Sequence, residues 1–333
     1  MNRRASFALL LAVTALAACT KDAHELPEPD AVLFALDLPP GWPQPPVPAD
    51  NPLTDASVRL GKALFFDERL SLGRGVSCAS CHHPDLAFSD SVPLSVGVHG
   101  ETGFRNAPSL ANTAYHPLLF RDGGVPTLEQ QILVPLLDEK EMDSNPQQVI
   151  DVLQADDQLN TLSMRAYGKP LDQLVLTQAI ANYERTLISG HSRYDRYLQG
   201  DATALNEAET RGLQLFTGNA HCSTCHSGFD LSDHDFHDVG TAGDGSADPG
   251  RERITFLAED RGKFKTPTLR NISRTAPYMH NGGMATLEEV VHHFNAPPSD
   301  SPMQPLALTA NEEQDLVAFL RALDNERPLD QVR

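Results

Sequence analysis

The sequence predicts a mostly α-helical chain of two tandem halves with long loops. Three observations lead there. Strand-like alternation of apolar and polar residues is scarce. The pattern Cys-x-x-Cys-His occurs twice, at Cys78-Ala79-Ser80-Cys81-His82 and Cys222-Ser223-Thr224-Cys225-His226. Each copy follows a Gly with Leu and Phe three and four residues on, Gly61-Leu64-Phe65 and Gly212-Leu215-Phe216, which is an apolar helical face. The 333 residues suffice for two cores at roughly 150 residues per domain.

In chain order, Arg3 and Arg4 precede an apolar run of 12 residues, Phe7 to Ala18. It is too short to span a bilayer and fits an export signal over 1–18. The run ends in Leu16-Ala17-Ala18-Cys19, a lipobox-like site that makes Cys19 a candidate lipid attachment and points to the periplasmic face of an outer membrane. Residues 20–52 hold nine prolines and read, with Cys19, as an extended tether over 19–52. Residues 53–200 and 201–333 are then the two folded halves. Each ends in a helix, around Ala179–Leu187 and Leu316–Leu323. Between them Asp230 to Arg253 reads as a loop, with His234 and His237 among acids, and the cations from Arg251 to Lys265 read as facing solvent or a cofactor's acid groups. The formal charge of −19 argues against a nucleic-acid binder and leaves room for a basic protein partner.

The cysteines carry the chemistry. With Cys19 set aside, the remaining four all lie in the two Cys-x-x-Cys-His motifs. Paired thiols in an exported chain ordinarily mean disulfides, but the adjacent His changes the reading. Two thiols at this spacing add to the two vinyl groups of one haem, and the next imidazole reaches its iron. Zinc or thiol redox chemistry is the competing use of C-x-x-C. The fold class is therefore two tandem cytochrome c-like domains, each holding one covalent haem c through Cys78, Cys81 and His82 or Cys222, Cys225 and His226.

Over residues 51–325 the chain resembles the bacterial di-haem cytochrome c peroxidases and their MauG-type relatives. The resemblance rests on Leu60-Gly61-Lys62-Ala63-Leu64-Phe65-Phe66-Asp67, both haem motifs, Arg105-Asn106-Ala107-Pro108-Ser109-Leu110, Leu269-Arg270-Asn271 and Thr275-Ala276-Pro277-Tyr278-Met279-His280. It implies a hydrogen peroxide-using oxidoreductase. The haem of His82 would react with peroxide and that of His226 would store or relay an electron. Glu141 matches the acid–base carboxylate, with Gln131 and Pro135 shaping its pocket. His99 matches a loop whose His ligates the resting reactive haem in many peroxidases. Asn106, Thr275 and Pro277 match a calcium site. Electrons would come from a small cytochrome c or cupredoxin; the alternatives are oxidation of a residue on a partner protein, or a non-catalytic electron carrier.

Two positions depart from the pattern. Arg121 stands where the family places a Trp between the haems, leaving Tyr115, Phe120 or direct tunnelling as routes. Phe294 stands at the usual sixth-ligand position of the second haem and has no lone pair. Met284, Met303, His293 and His292 are the nearby candidates.

Overall fold

The computed structural model describes residues 32–243 and 247–332. The export signal, Cys19 and the start of the proline-rich segment lie outside the described residues. The first half holds α1 (Asp55–Phe65), α2 (Leu128–Gln131), α3 (Leu133–Leu137), α4 (Pro146–Leu153), α5 (Asp157–Tyr167), α6 (Gln173–Glu184) and α7 (Arg193–Leu198). The second holds α8 (Glu207–Thr217), α9 (Glu252–Thr255), α10 (Leu287–Asn295) and α11 (Ala310–Arg321). Two-residue strands β1 (Phe236–His237) and β2 (Phe264–Lys265) pair antiparallel, the first of them inside the Asp230 to Arg253 stretch read as a loop. The chain is mostly helix and loop.

Each half is built on one helix crossing. Helix α1 starts at a reciprocal cap in which the Ser57 N–H donates to Thr54 Oγ1 and the Thr54 N–H donates to Ser57 Oγ. Its buried stripe of Val58, Leu60, Leu64 and Phe65 packs on α6. A Cβ at Gly61 would collide with the Ala179 carbonyl, so glycine sets how close the helices lie. The second half repeats the device: α8 crosses α11, and a Cβ at Gly212 would strike the Asp315 carbonyl. Asn206 with Glu209, and Thr309 with Glu312, cap those two helices. Separate apolar clusters form around the two crossings. One expectation shifts: α6 ends at Glu184 and is buried on every side from Val175 onward, because α1, α2 and α4 all pack against it.

A longer internal repeat emerges from the backbone. Asn112 to Gly124 and Asn271 to Gly283 follow the same path, shifted by 159 residues. Asn112 and Asn271 are left-handed at φ 62° and 60°, as are Phe120 and Met279 at 63° and 72°. Leu119 N–H donates to Val125 O, and Tyr278 N–H to Met284 O, both at 2.7 Å. Thr127 and Thr286 then cap α2 and α10. The halves meet through these repeats: Asn106 N–H donates to His280 O at 2.8 Å, and its counterpart Lys265 N–H donates to Arg121 O at 2.7 Å. The Ser189 N–H donates to Asn112 Oδ1 while Asn271 Nδ2 donates to Ser189 Oγ, both at 2.8 Å.

Two chain segments tie the body together. The described part of the expected tether, residues 32–52, is docked rather than free. Phe34 N–H donates to Leu53 O, and Trp42 lies 4.7 Å from Phe229 and 6.0 Å from Tyr115, with the Arg270 guanidinium 5.1 Å from its ring. Proline carries no N–H, so such a segment can lie on a surface with few hydrogen bonds to satisfy. At the other end, Leu329 and Val332 are buried in the first half's core, and Lys62 Nζ meets Val332 O at 2.6 Å and Asp330 at 2.8 Å.

Candidate haem sites

The two Cys-x-x-Cys-His motifs fold identically. Cys78–Ser80 and Cys222–Thr224 each make one turn of 3-10 helix, and the following His N–H donates to the first Cys carbonyl, at 3.0 Å for His82 and 2.9 Å for His226. Nδ1 of His82 lies 2.8 Å from Phe88 O, and Nδ1 of His226 lies 3.1 Å from Leu231 O. A proton placed on Nδ1 toward the carbonyl leaves the Nε2 lone pair for a metal. Burial lowers both imidazole pKa values, which favours the neutral, ligating form. The four cysteines of the motifs are half-buried and form no disulfide with one another. This donor set fits one thioether-bound haem at each motif.

Around the first motif, the turn after α3 positions Glu141. Its N–H donates to Asp138 O at 3.0 Å, its carbonyl accepts from Val98 N–H at 2.8 Å, and Pro135 O accepts from Met142 N–H at 3.2 Å. Partial burial, with the Asp138 charge beside it, raises the Glu141 pKa although solvent reaches the side chain. Glu141 is close enough to Cys81 for its charge to act on that thiol. Gln131, half-buried, closes α2. His99 lies on the same corner, but its Nε2 is paired with Asp143 Oδ2 at 2.7 Å. Glu184, which the sequence did not single out, acts on Cys78 from the opposite helix; burial pushes its pKa to about 8 and its Oε2 makes no hydrogen bond.

Near the second motif, Met284 packs against the apolar cluster and Met303 is half-buried. His293 Nε2 is 2.7 Å from Val239 O, and His292 Nδ1 is 3.1 Å from Glu313. Phe294 is the repeat counterpart of Pro135. The loop histidines are paired rather than solvated: His237 Nε2 lies 2.9 Å from Asp233, while His116 and His234 flank Asp230 at 3.3 and 3.6 Å. The ligand atoms of His116, Asp230 and His234 lie within 4.8 Å of one another, as do those of Cys225, Asp233 and His237. In the first group Lys265 Nζ is 3.3 Å from His116 Nδ1, which places the imidazole proton on Nε2, facing Asp230, and occupies that nitrogen. In the second, Cys225 belongs to the second Cys-x-x-Cys-His motif.

The cations from Arg251 to Lys265 do not simply face solvent. Arg251 lies 3.7 Å over the Phe236 ring, and Lys265 donates to Leu118 O at 2.6 Å. Arg121 is half-buried, with Nε and Nη2 donating to Asn106 O at 3.0 Å and Asn106 Oδ1 at 2.7 Å. The side-chain oxygen expected to hold calcium is therefore already bound to a cation, and a metal ion beside it would face like charge. Calcium does not fit this arrangement.

The chain is 37% identical over 288 residues to the methylamine utilization protein MauG of Methylorubrum extorquens, covering 84% of this chain and 82% of that one. The chain belongs to the di-haem cytochrome c peroxidase family. The family description, di-haem cytochrome c peroxidase, itself matches residues 55–203. Cytochrome c551 peroxidase of Pseudomonas aeruginosa is 32% identical, over 84% of this chain and 81% of its own. The crystal structure of a MauG-like protein associated with microbial copper homeostasis superposes with a TM-score of 0.83 at 35% identity, covering 90% of this chain and 97% of that one. This di-haem peroxidase is thus an oxidoreductase that acts on peroxide.

Proposed function

We propose that this chain is a periplasmic enzyme that reduces hydrogen peroxide at the His82 haem, using electrons that a small cytochrome c or cupredoxin delivers through the His226 haem. His82 would hold the haem iron through Nε2, and the bound haem would supply the peroxide-binding position and the electrons that break the O–O bond. The surrounding residues manage protons. Glu141 takes the proton from the nearer peroxide oxygen and returns it to the farther one, which leaves as water. Two electrons and two protons convert one peroxide to two waters. Pro135 and Gln131 hold the turn and wall beside that carboxyl. The halves act as cytochrome c-like domains over 53–200 and 201–333, with Cys19 as the lipid anchor.

The observation that carries this reading is the placement of Glu141, whose charge reaches Cys81 of the first motif. Glu141→Gln keeps the shape but cannot cycle a proton. In rapid mixing with peroxide it should react about 10² to 10⁴ times more slowly, with both haem spectra unchanged. Reaction at the wild-type rate would make Glu141 a surface acid and favour an electron carrier.

A second reading, oxidation of a residue on a partner protein, draws support from His99. Nε2 of His99 is paired to Asp143 at 2.7 Å, the arrangement expected if His99 does not ligate the iron. Electron paramagnetic resonance of the fully oxidised protein distinguishes the cases: a high-spin first haem fits the open face, and a low-spin His pair fits a reductively activated peroxidase.

A further inference from the structure

We infer that the seam between the halves carries its own cation, the guanidinium of Arg121, bonded to Asn106, one of the three residues that the resemblance implies as calcium ligands. The expected calcium ligands are Asn106, Thr275 and Pro277. The repeat of 159 residues gives each a counterpart: Lys265, His116 and Leu118. At the counterpart position the cation is the chain's own, since Lys265 Nζ lies 2.6 Å from Leu118 O and 3.3 Å from His116 Nδ1. A side-chain ammonium thus bonds residues equivalent to two of the three calcium ligands.

At the first position Asn106 brings oxygen but no charge, and Arg121 supplies it. Its two bonds go to the backbone and side-chain oxygens of Asn106, neutral oxygens of the class that a hard metal ion takes. No carboxylate competes for it closely: Asp122 is held by Arg105 at 2.6 Å and Arg253 at 2.7 Å. Both partners face the other half through their backbones, Asn106 by its N–H to His280 O and Arg121 by its carbonyl to Lys265 N–H. One guanidinium therefore locks two crossing points together. A rigid side chain cannot be removed by a chelator or diluted away, so the seam holds without metal.

The test uses the haem-loaded protein. Elemental analysis should find calcium well below one ion per chain, and the melting temperature should be the same in excess EGTA and in millimolar calcium. Arg121→Ala frees both Asn106 oxygens and should make melting calcium-dependent, with a higher temperature in calcium than in EGTA. Adding Asn106→Ala should abolish that response. If Arg121→Ala does not fold, Arg121→Lys keeps the charge and should stay insensitive to calcium. About one calcium per wild-type chain, lost to EGTA with a fall in melting temperature, overturns the inference. So does a folded Arg121→Ala protein that ignores calcium, or an Arg121→Lys protein that binds it.

Discussion

Glu184 buries a carboxyl against the first haem motif with one oxygen unbonded, and burial raises its pKa to about 8. The folded chain then keeps a proton that the unfolded chain releases above its ordinary value near 4.5. Stability contributed by this group is full below that value and falls as pH rises toward 8. Glu184→Gln removes the ionisation and keeps the shape. At pH 8 its melting temperature should exceed the wild type's by about 3 °C or more, where 1 kcal/mol corresponds to about 2–4 °C. At pH 4 and below the two should coincide. Parallel melting curves across this range would show that the Arg185 charge, which lowers the pKa, cancels the effect of burial. No local pattern announced Glu184, because a Glu in a helical run ordinarily faces water and the surrounding burial arises only when α1, α2 and α4 close over α6.

At the scale of elements, the two glycine crossings make equivalent demands. Gly61→Ala and Gly212→Ala each push a methyl group into a backbone carbonyl, and overpacking of this kind costs about 1–3 kcal/mol. Gly103 meets no heavy atom within 4 Å, so Gly103→Ala is the control and should change thermal or denaturant midpoints little. Equal midpoints for all three would mean the helices slide apart without cost. These crossings were partly legible, since Gly-Leu-Phe recurs before each haem motif. The haem motifs and flanking helices were legible for the same reason: their chemistry or periodicity is local. The 159-residue repeat was harder to read, because little side-chain identity persists through it. What persists is backbone geometry, as in the paired left-handed Asn112 and Asn271, together with Gly123 and Gly282 at φ 71° and 66°. Comparing Asn-x₁₀-Gly-Gly spacings would have exposed it. The calcium expectation failed for a related reason. Asn106 suits a cation, but the cation that meets it comes from Arg121, fifteen residues on.

Across the whole molecule, the halves are stitched by side chains as well as backbone. Arg105 reaches Asp248 at 2.7 Å, Arg253 reaches Asp122 at 2.7 Å, and the buried Arg270 reaches Asp195 at 2.7 Å. Burial keeps such pairs little screened by salt. The strongest stitch is apolar. Leu329 lies in the first half's core, so Leu329→Ala should cost about 2–5 kcal/mol and act on that half. Amide exchange should quicken in α1 while α8 stays protected; equal loosening of both would mean that the halves open as one unit. That stitch also sets an order of events. A chain emerging N-terminus first, from a ribosome or across a membrane, presents Cys78 and Cys81 long before Leu329 and Val332 exist to complete the core beside them. Through that interval the first Cys-x-x-Cys-His motif belongs to an unfinished core. Arrival of residues 329–332 completes that core, so the half made first is the last to be finished.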